Sequence, residues 1–316
     1  MKLPVRVVLI AIVMALLAAA PSIAPAIIVQ FGISTLIMVT LAQSWNIIGG
    51  YTGYTAFGNS VFYGLGGYGT AIAMVQFHWP FAAGLALGAA LAVAFALLLG
   101  LPVLRLRGQY FAIATLGLVG VMTAIVSNVD IAGSNVGLVL PLLKGDTLFY
   151  ELALALAVLT TLTVAWISRS RFGFGLIAIR ENEEAAEVMG IDTTLHKVLA
   201  FMLSALFTAL AGGIHAYWIT YIDPAGAFDV TLNVKMIIMV VFGGPSTVFG
   251  PVVGAFVLSA ISEFLAIKVT GLAGMFFGLV VVTAIVFMPR GLADVMRRFR
   301  RVGWRCFEEN IKANRV

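Results

Sequence analysis

Charge is what this chain has least of. Asp, Glu, Lys and Arg make up only 10% of its 316 residues, and 61% are apolar, whereas soluble domains carry about a quarter charged and about half apolar. The mean hydropathy is +1.07. A soluble globular protein is excluded by that balance. Cysteine is nearly absent too: Cys306 stands alone, so no internal disulfide, paired-cysteine redox motif or cysteine-built zinc site can form. The three histidines, His78, His196 and His215, lie in separate stretches without metal-ligand spacing. Neither Gly-x-Ser-x-Gly nor His-Glu-x-x-His occurs, which removes the usual signatures of membrane hydrolysis. The net charge of +5 comes from short basic clusters between apolar runs, not from an aromatic-interleaved basic surface, so it does not point to nucleic acid.

What is present is a series of apolar runs. They fall at 7–29, 32–49, 56–76, 81–104, 110–128, 148–168, 195–219, 233–248, 249–267 and 271–289. Crossing a hydrocarbon core takes about 20 apolar residues in a helix, because lipid cannot satisfy free backbone groups. The pattern predicts an all-α polytopic membrane protein of about ten helices with both termini cytoplasmic. Three positions leave the count open, one of them the split of 233–267 at Gly243-Gly244-Pro245 through Gly250-Pro251. The glycine-rich run 56–76 can span or be re-entrant, and Ala18-Ala19-Ala20 before Pro21 resembles a signal-peptide cleavage site; either alternative leaves nine. Ten crossings put sixteen of the nineteen Lys and Arg inside and only Lys144, Lys235 and Lys268 outside, as the positive-inside bias requires. The whole of 1–316 reads as one transmembrane domain, with a cytoplasmic loop at 169–194 and a basic cytoplasmic tail at 290–316. The loops 129–147 and 220–232 are the longest external connections, open to an external partner.

Within the spans, Gly64-x-Gly66-x-x-Gly69 mimics a dinucleotide fingerprint, but it follows no strand and sits inside an apolar run. Close helix packing explains it better. The pairs Gly49/Gly53, Gly84/Gly88, Gly250/Gly254 and Gly274/Gly278 share the four-residue spacing that lets helices approach in lipid. No carboxylate sits mid-span; Glu263 comes nearest and reads as an interfacial residue facing headgroups or Lys268. An energy source outside the chain is therefore expected. Trp45 and Asn46, and Trp218 with Tyr217 and Tyr221, read as boundary anchors.

The stretch Ile179 to Asp192 in the largest inner loop reads as one short helix over 181–190. Glu181, Glu183 and Glu184 suit its positive N-terminal end, and Gly190 suits a left-handed stop. Asp192 or Thr193 then caps the next helix. Ala185, Val188 and Met189 share a face, forming a small apolar knob rimmed by glutamates. Held between two membrane helices, such a knob suits a cytoplasmic partner better than an anionic leaflet.

Glu184-Ala185-Ala186-x-x-x-Gly190 resembles the "EAA…G" loop of ABC importer permeases. Three other stretches join it: Leu104-Arg105-Leu106-Arg107-Gly108-Gln109-Tyr110-Phe111 running on to Gly117, Asn46 to Gly53, and Met239-Val240-Val241-Phe242-Gly243-Gly244 continuing through Gly250-Pro251 to Ala255. Together, over roughly 35–290, the chain is similar to the LivM type of branched-chain amino acid permease. Pro245-Ser246-Thr247 and Gly53 to Gly58 depart from that family's pattern, and related permeases carry urea or short amides, so the solute stays open.

The resemblance implies a transport subunit of a bacterial inner-membrane importer, without catalytic or metal residues of its own. It would work beside a second permease of LivH type, two cytoplasmic ATPases that hold ATP and Mg, and an external solute-binding protein. The chain carries no Gly-x-x-x-x-Gly-Lys-Ser/Thr loop, in keeping with that division. The implied ATPase-coupling residues are Arg180, Glu184, Ala185, Ala186, Met189 and Gly190. The glycine-rich stretches supply candidates for the solute pathway: Gly49, Gly53, Gly64, Gly243 and Gly244. A gated channel or facilitator is the competing reading, but it gives no reason for a docking helix. A membrane-embedded enzyme lacks the clustered polar residues it needs.

Overall fold

The architecture comes from a computed structural model that describes residues 20–21, 24–106, 108–143, 145–268 and 278. Six helices among the described residues are long and apolar enough to cross a membrane: Ala26–Tyr51, Phe81–Val103, Gln109–Ser127, Asp146–Ile167, Thr193–Ile219 and Pro224–Gly243. The chain is thus a multi-pass membrane protein. Most of the expected 7–29 span, all of 271–289 except Gly278, the 290–316 tail and Cys306 lie outside the described residues.

In chain order, α1 (Ala26–Trp45) runs without a break into a π-helical turn, Asn46–Tyr51. It is followed by α2 (Asn59–Val75), α3 (Phe81–Val103), α4 (Gln109–Ser127) and α5 (Asp146–Ile167). Two short helices, α6 (Arg171–Glu181) and α7 (Glu183–Val188), precede the long α8 (Thr193–Ile219). The one-turn α9 (Pro224–Ala227), α10 (Val230–Gly243) and α11 (Gly250–Lys268) complete the described chain. The expected break between runs 7–29 and 32–49 falls earlier than the apolar pattern placed it. Pro25 marks it, and Gln30 and Gly32 lie inside α1; proline tolerates a helix start but removes an interior hydrogen bond. The break at Gly243-Gly244-Pro245 is where the sequence put it, since α10 ends at Gly243 and α11 opens at Gly250.

Helix α2 forms the centre. It packs most extensively on α8 and α3, and 14 of its 17 residues are buried, so it lies within the bundle and not along its surface. Its glycines make that possible. A side chain at Gly66 would strike the Ala209 backbone on α8, one at Gly69 would strike Gly88 on α3, and one at Gly212 would strike Tyr63. Backbones at such range gain dispersion contacts that larger residues would prevent. Gly58 precedes α2 beside Thr115 on α4, while Gln76, beyond its other end, donates to the Ile131 carbonyl at 3.5 Å. Helix α2 is therefore one continuous piece that reaches from beside Thr115 on α4 to the loop beyond the end of α4.

At the end remote from α6 and α7, the two long connections meet. Strands β1 (Leu138–Val139) and β2 (Tyr221–Ile222) pair antiparallel, Leu138 opposite Ile222. Tyr221 adds a bond from its hydroxyl to the Val136 carbonyl at 2.8 Å.

Candidate functional site at the α6–α7 end

The expected single helix over 181–190 is two helices with a corner. Asn182 adopts extended backbone, φ −161 and ψ 109, ends α6 and caps α7 by accepting from the Ala185 N–H at 3.0 Å. Asparagine side chains compete with the backbone for hydrogen bonds and favour caps over helix interiors, which explains the corner. Glu181 consequently closes α6, leaving Glu183 and Glu184 in the positive first turn of α7. The stop and restart follow the sequence: Gly190 takes φ +86, and Asp192 caps α8 by accepting from Leu195 N–H at 2.9 Å.

The apolar knob is present. Val188 is 88% and Met189 82% exposed, and Ala185 is exposed beside them, while Ala186 turns inward and is buried. Beneath it lies an ion pair. Lys197, in the first turns of α8 and only 5% exposed, donates to Glu183 at 2.7 Å, to the Tyr54 hydroxyl at 3.2 Å and to the Leu104 carbonyl at 3.2 Å. Tyr54 donates to the other Glu183 oxygen at 2.7 Å and stands edge-on to Phe111, ring centres 5.1 Å apart. A buried lysine needs this many partners, because an unpaired charge inside costs several kcal/mol. Nothing in the sequence singled out Lys197 or Tyr54, since their partners lie far along the chain.

Arg180 makes a second anchor. It pairs with Glu181 at 2.7 Å, reaches the Gly50 carbonyl at 3.3 Å and donates to the Ser246 hydroxyl. Ser246 in turn donates to the Gly50 carbonyl at 2.6 Å and takes its backbone bond to Asn46 at 2.9 Å. Asn46 also donates to Thr247 and Gln43 to Val248, fastening the end of α1 to the turn between α10 and α11. The boundary-anchor reading of Trp45 and Asn46 is corrected here: both are buried, and the Trp45 indole donates to Ala56 at 2.8 Å. A polar group at this depth must find its bond inside the protein.

The four separated motifs thus converge. The α6–α7 corner touches the 46–53 segment through Arg180 and the 104–117 segment through Lys197 and Tyr54, while Ser246 brings in 243–254. Among the pathway glycines, Gly53 lies against Arg180 and Gly49 against the Trp45 ring, both at this end. Gly64 faces the Phe228 ring, Gly243 faces the Gly250 backbone, and Gly244 takes φ +115 at the turn. Of the histidines, His196 stacks on Phe172 at 5.4 Å and His215 meets the Tyr63 hydroxyl.

Comparison with known proteins gives a consistent picture. A family model described as branched-chain amino acid transport system, permease component, matches residues 27–285. The high-affinity branched-chain amino acid transport system permease protein LivM of Salmonella typhimurium is 28% identical over 301 residues, covering 85% of this chain and 70% of the relative. LivM of Escherichia coli is likewise 28% identical, over 83% of this chain and 69% of its own. The autoinducer 2 import system permease protein LsrC of Photorhabdus laumondii is 27% identical over about half of each chain, 51% and 50%. No solved structure matches.

Proposed function

Since the chain belongs to the family of branched-chain amino acid transport permeases, we propose that it is one permease subunit of an ATP-driven importer in the bacterial inner membrane, moving branched-chain amino acids. The observation that carries this reading is the exposed Val188–Met189 knob on a helix rigidly seated by Asn182, Glu183 and Lys197. An apolar, solvent-facing pair on a fixed mount suits a groove on another protein. In this reading α6 and α7 face the cytoplasm, ten spans place both termini there, and residues 1–316 form one permease domain with the coupling loop at 169–194 and the basic tail at 290–316.

One of two cytoplasmic ATPases holding ATP and Mg docks on α7, so Glu184, Ala185, Met189 and Gly190 present the contact, the buried Ala186 seats the helix beneath them, and Arg180 relays the movement. A displacement of α7 reaches the 46–53 and 243–254 segments through Arg180 and Ser246, where Gly49, Gly53, Gly243 and Gly244 border the solute pathway, with Gly64 farther along it on α2. A second permease of LivH type and an external solute-binding protein complete the assembly. Half-chain similarity to LsrC favours one further reading, the same machinery carrying another small polar solute.

The test is purification of the tagged chain in mild detergent with its co-expressed neighbours. Wild type should bring down ATPase subunits, and Glu184→Arg and Gly190→Trp should lose them. Absence of any ATPase from the wild-type preparation would favour a channel or facilitator.

A further inference from the structure

Helices α1, α10 and α11 pack on one another and line a partly open pocket of about 120 Å³, with Glu263 at its exposed rim, room for several waters or one small organic solute and too little for a peptide. Its polar lining is unusual for a lipid-embedded bundle: Lys235, Glu263, Ser34, Thr35, Ser259 and Ser262. Its apolar lining is Phe31, Met38 and Met239. Because α1 ends at the Arg180 site and α11 opens near it, residues early in α1 and late in α11 put this pocket in the half of the bundle away from α7.

Two features point to a ligand. Lys235 and Glu263 line one small pocket, yet among the described residues no ion pair joins them. Intramembrane ionisable residues ordinarily pair or mark a solute path. In addition, Thr35 is only 4% exposed and its hydroxyl makes no hydrogen bond, and the buried Ser259 hydroxyl makes none either. Thr40, Thr70 and Thr160 bond back to the carbonyl four residues earlier, whereas Thr35 and, away from this pocket, Thr208 do not. A buried hydroxyl without a partner carries a desolvation cost that a bound polar group would offset.

From this juxtaposition of Lys235, Glu263 and the two unpartnered hydroxyls, we infer that the pocket is a waypoint for an α-amino acid zwitterion with an apolar side chain. The carboxylate meets Lys235, the ammonium meets Glu263, and Thr35 and Ser259 supply the remaining bonds. The side chain rests on Phe31, Met38 and Met239. Methionine adapts to differing shapes, so several branched side chains fit one site. This deepens the proposed function and rests on it for the solute class alone.

The test uses the full transporter with Cys306→Ser and a reporter, Met38→Cys, in the pocket. Labelling by a small methanethiosulfonate is timed with L-leucine, with 4-methylpentanoate, which lacks the ammonium, or with isopentylamine, which lacks the carboxylate. Leucine should slow labelling at least about tenfold and neither analogue should, given two charge-assisted contacts. Lys235→Met, Glu263→Gln and Thr35→Val, added singly, should each abolish or weaken the protection, and Lys235→Arg should retain part of it. Leucine uptake by the transporter without the reporter, but no protection at Met38→Cys, overturns the pocket and leaves the transport reading standing. Protection without uptake supports the pocket and overturns the transport reading; absence of both overturns both.

Discussion

Arg180 and Gly53 share one volume: a β-carbon on Gly53 would stand 2.6 Å from Arg180 Cγ. Gly53 also takes φ +75, where side chains other than glycine are disfavoured. The glycine turn and helix α6 are therefore fitted to each other, and each constrains what the other can become.

Gly53→Ala should lose about 1–2 kcal/mol to the left-handed backbone alone, with a further loss from pushing Arg180 aside. Thermal unfolding of the purified assembly measures the total. Arg180→Ala removes the clash but not the backbone cost, so the double variant should lose less than the two single losses added together. Strict additivity would contradict the packing argument.

Lys197→Met should destabilise the chain by up to about 3–5 kcal/mol, because it takes the buried ammonium away from Glu183, Tyr54 and the Leu104 carbonyl in a largely buried site. Replacing both partners, Lys197→Met with Glu183→Gln, should recover at least half. Detergent-solubilised melting curves for the three variants decide it; a double variant as unstable as the single one would show that the pair is not the anchor.

Gly190→Ala should cost about 1 kcal/mol and Gly190→Asn less, since φ +86 penalises a β-carbon and no neighbour lies within 4 Å of one. The comparison isolates backbone strain from crowding. Equal melting points for Ala and Asn would mean that the stop does not depend on the left-handed conformation.

Val188→Asp and Met189→Asp should leave stability within about 0.5 kcal/mol, as expected for exposed positions, while ATPase recovery in copurification falls at least about tenfold, as for a central apolar contact. Undiminished recovery with both variants would remove the knob from the docking surface.

Much of the fold was legible because membrane helices announce themselves: lipid leaves a long apolar run no option but helix, and the open question of a split in 233–267 resolves as a break at Gly243-Gly244-Pro245. The start of α1 was misread because Pro25 breaks the helix without breaking the apolar run. The corner at Asn182 was missed because a single cap among glutamates looks like helix continuing. In the candidate site, the exposed face of α7 followed from spacing, and so did the Gly190 stop and the Asp192 cap, all local features. The Lys197–Glu183–Tyr54 cluster and the Lys235–Glu263 pocket did not, because each joins residues on separate helices and only the packed bundle brings them together.

Helix α8 is secured near both ends. Lys197 fastens its first turns to Glu183, Tyr54 and Leu104, and past its last turn β2 is laddered to β1. Its 27 residues measure about 40 Å at 1.5 Å per residue. One continuous helix thus joins the α6–α7 corner to the place where the two long connections are stitched together, so the two ends of the bundle share a single structural member.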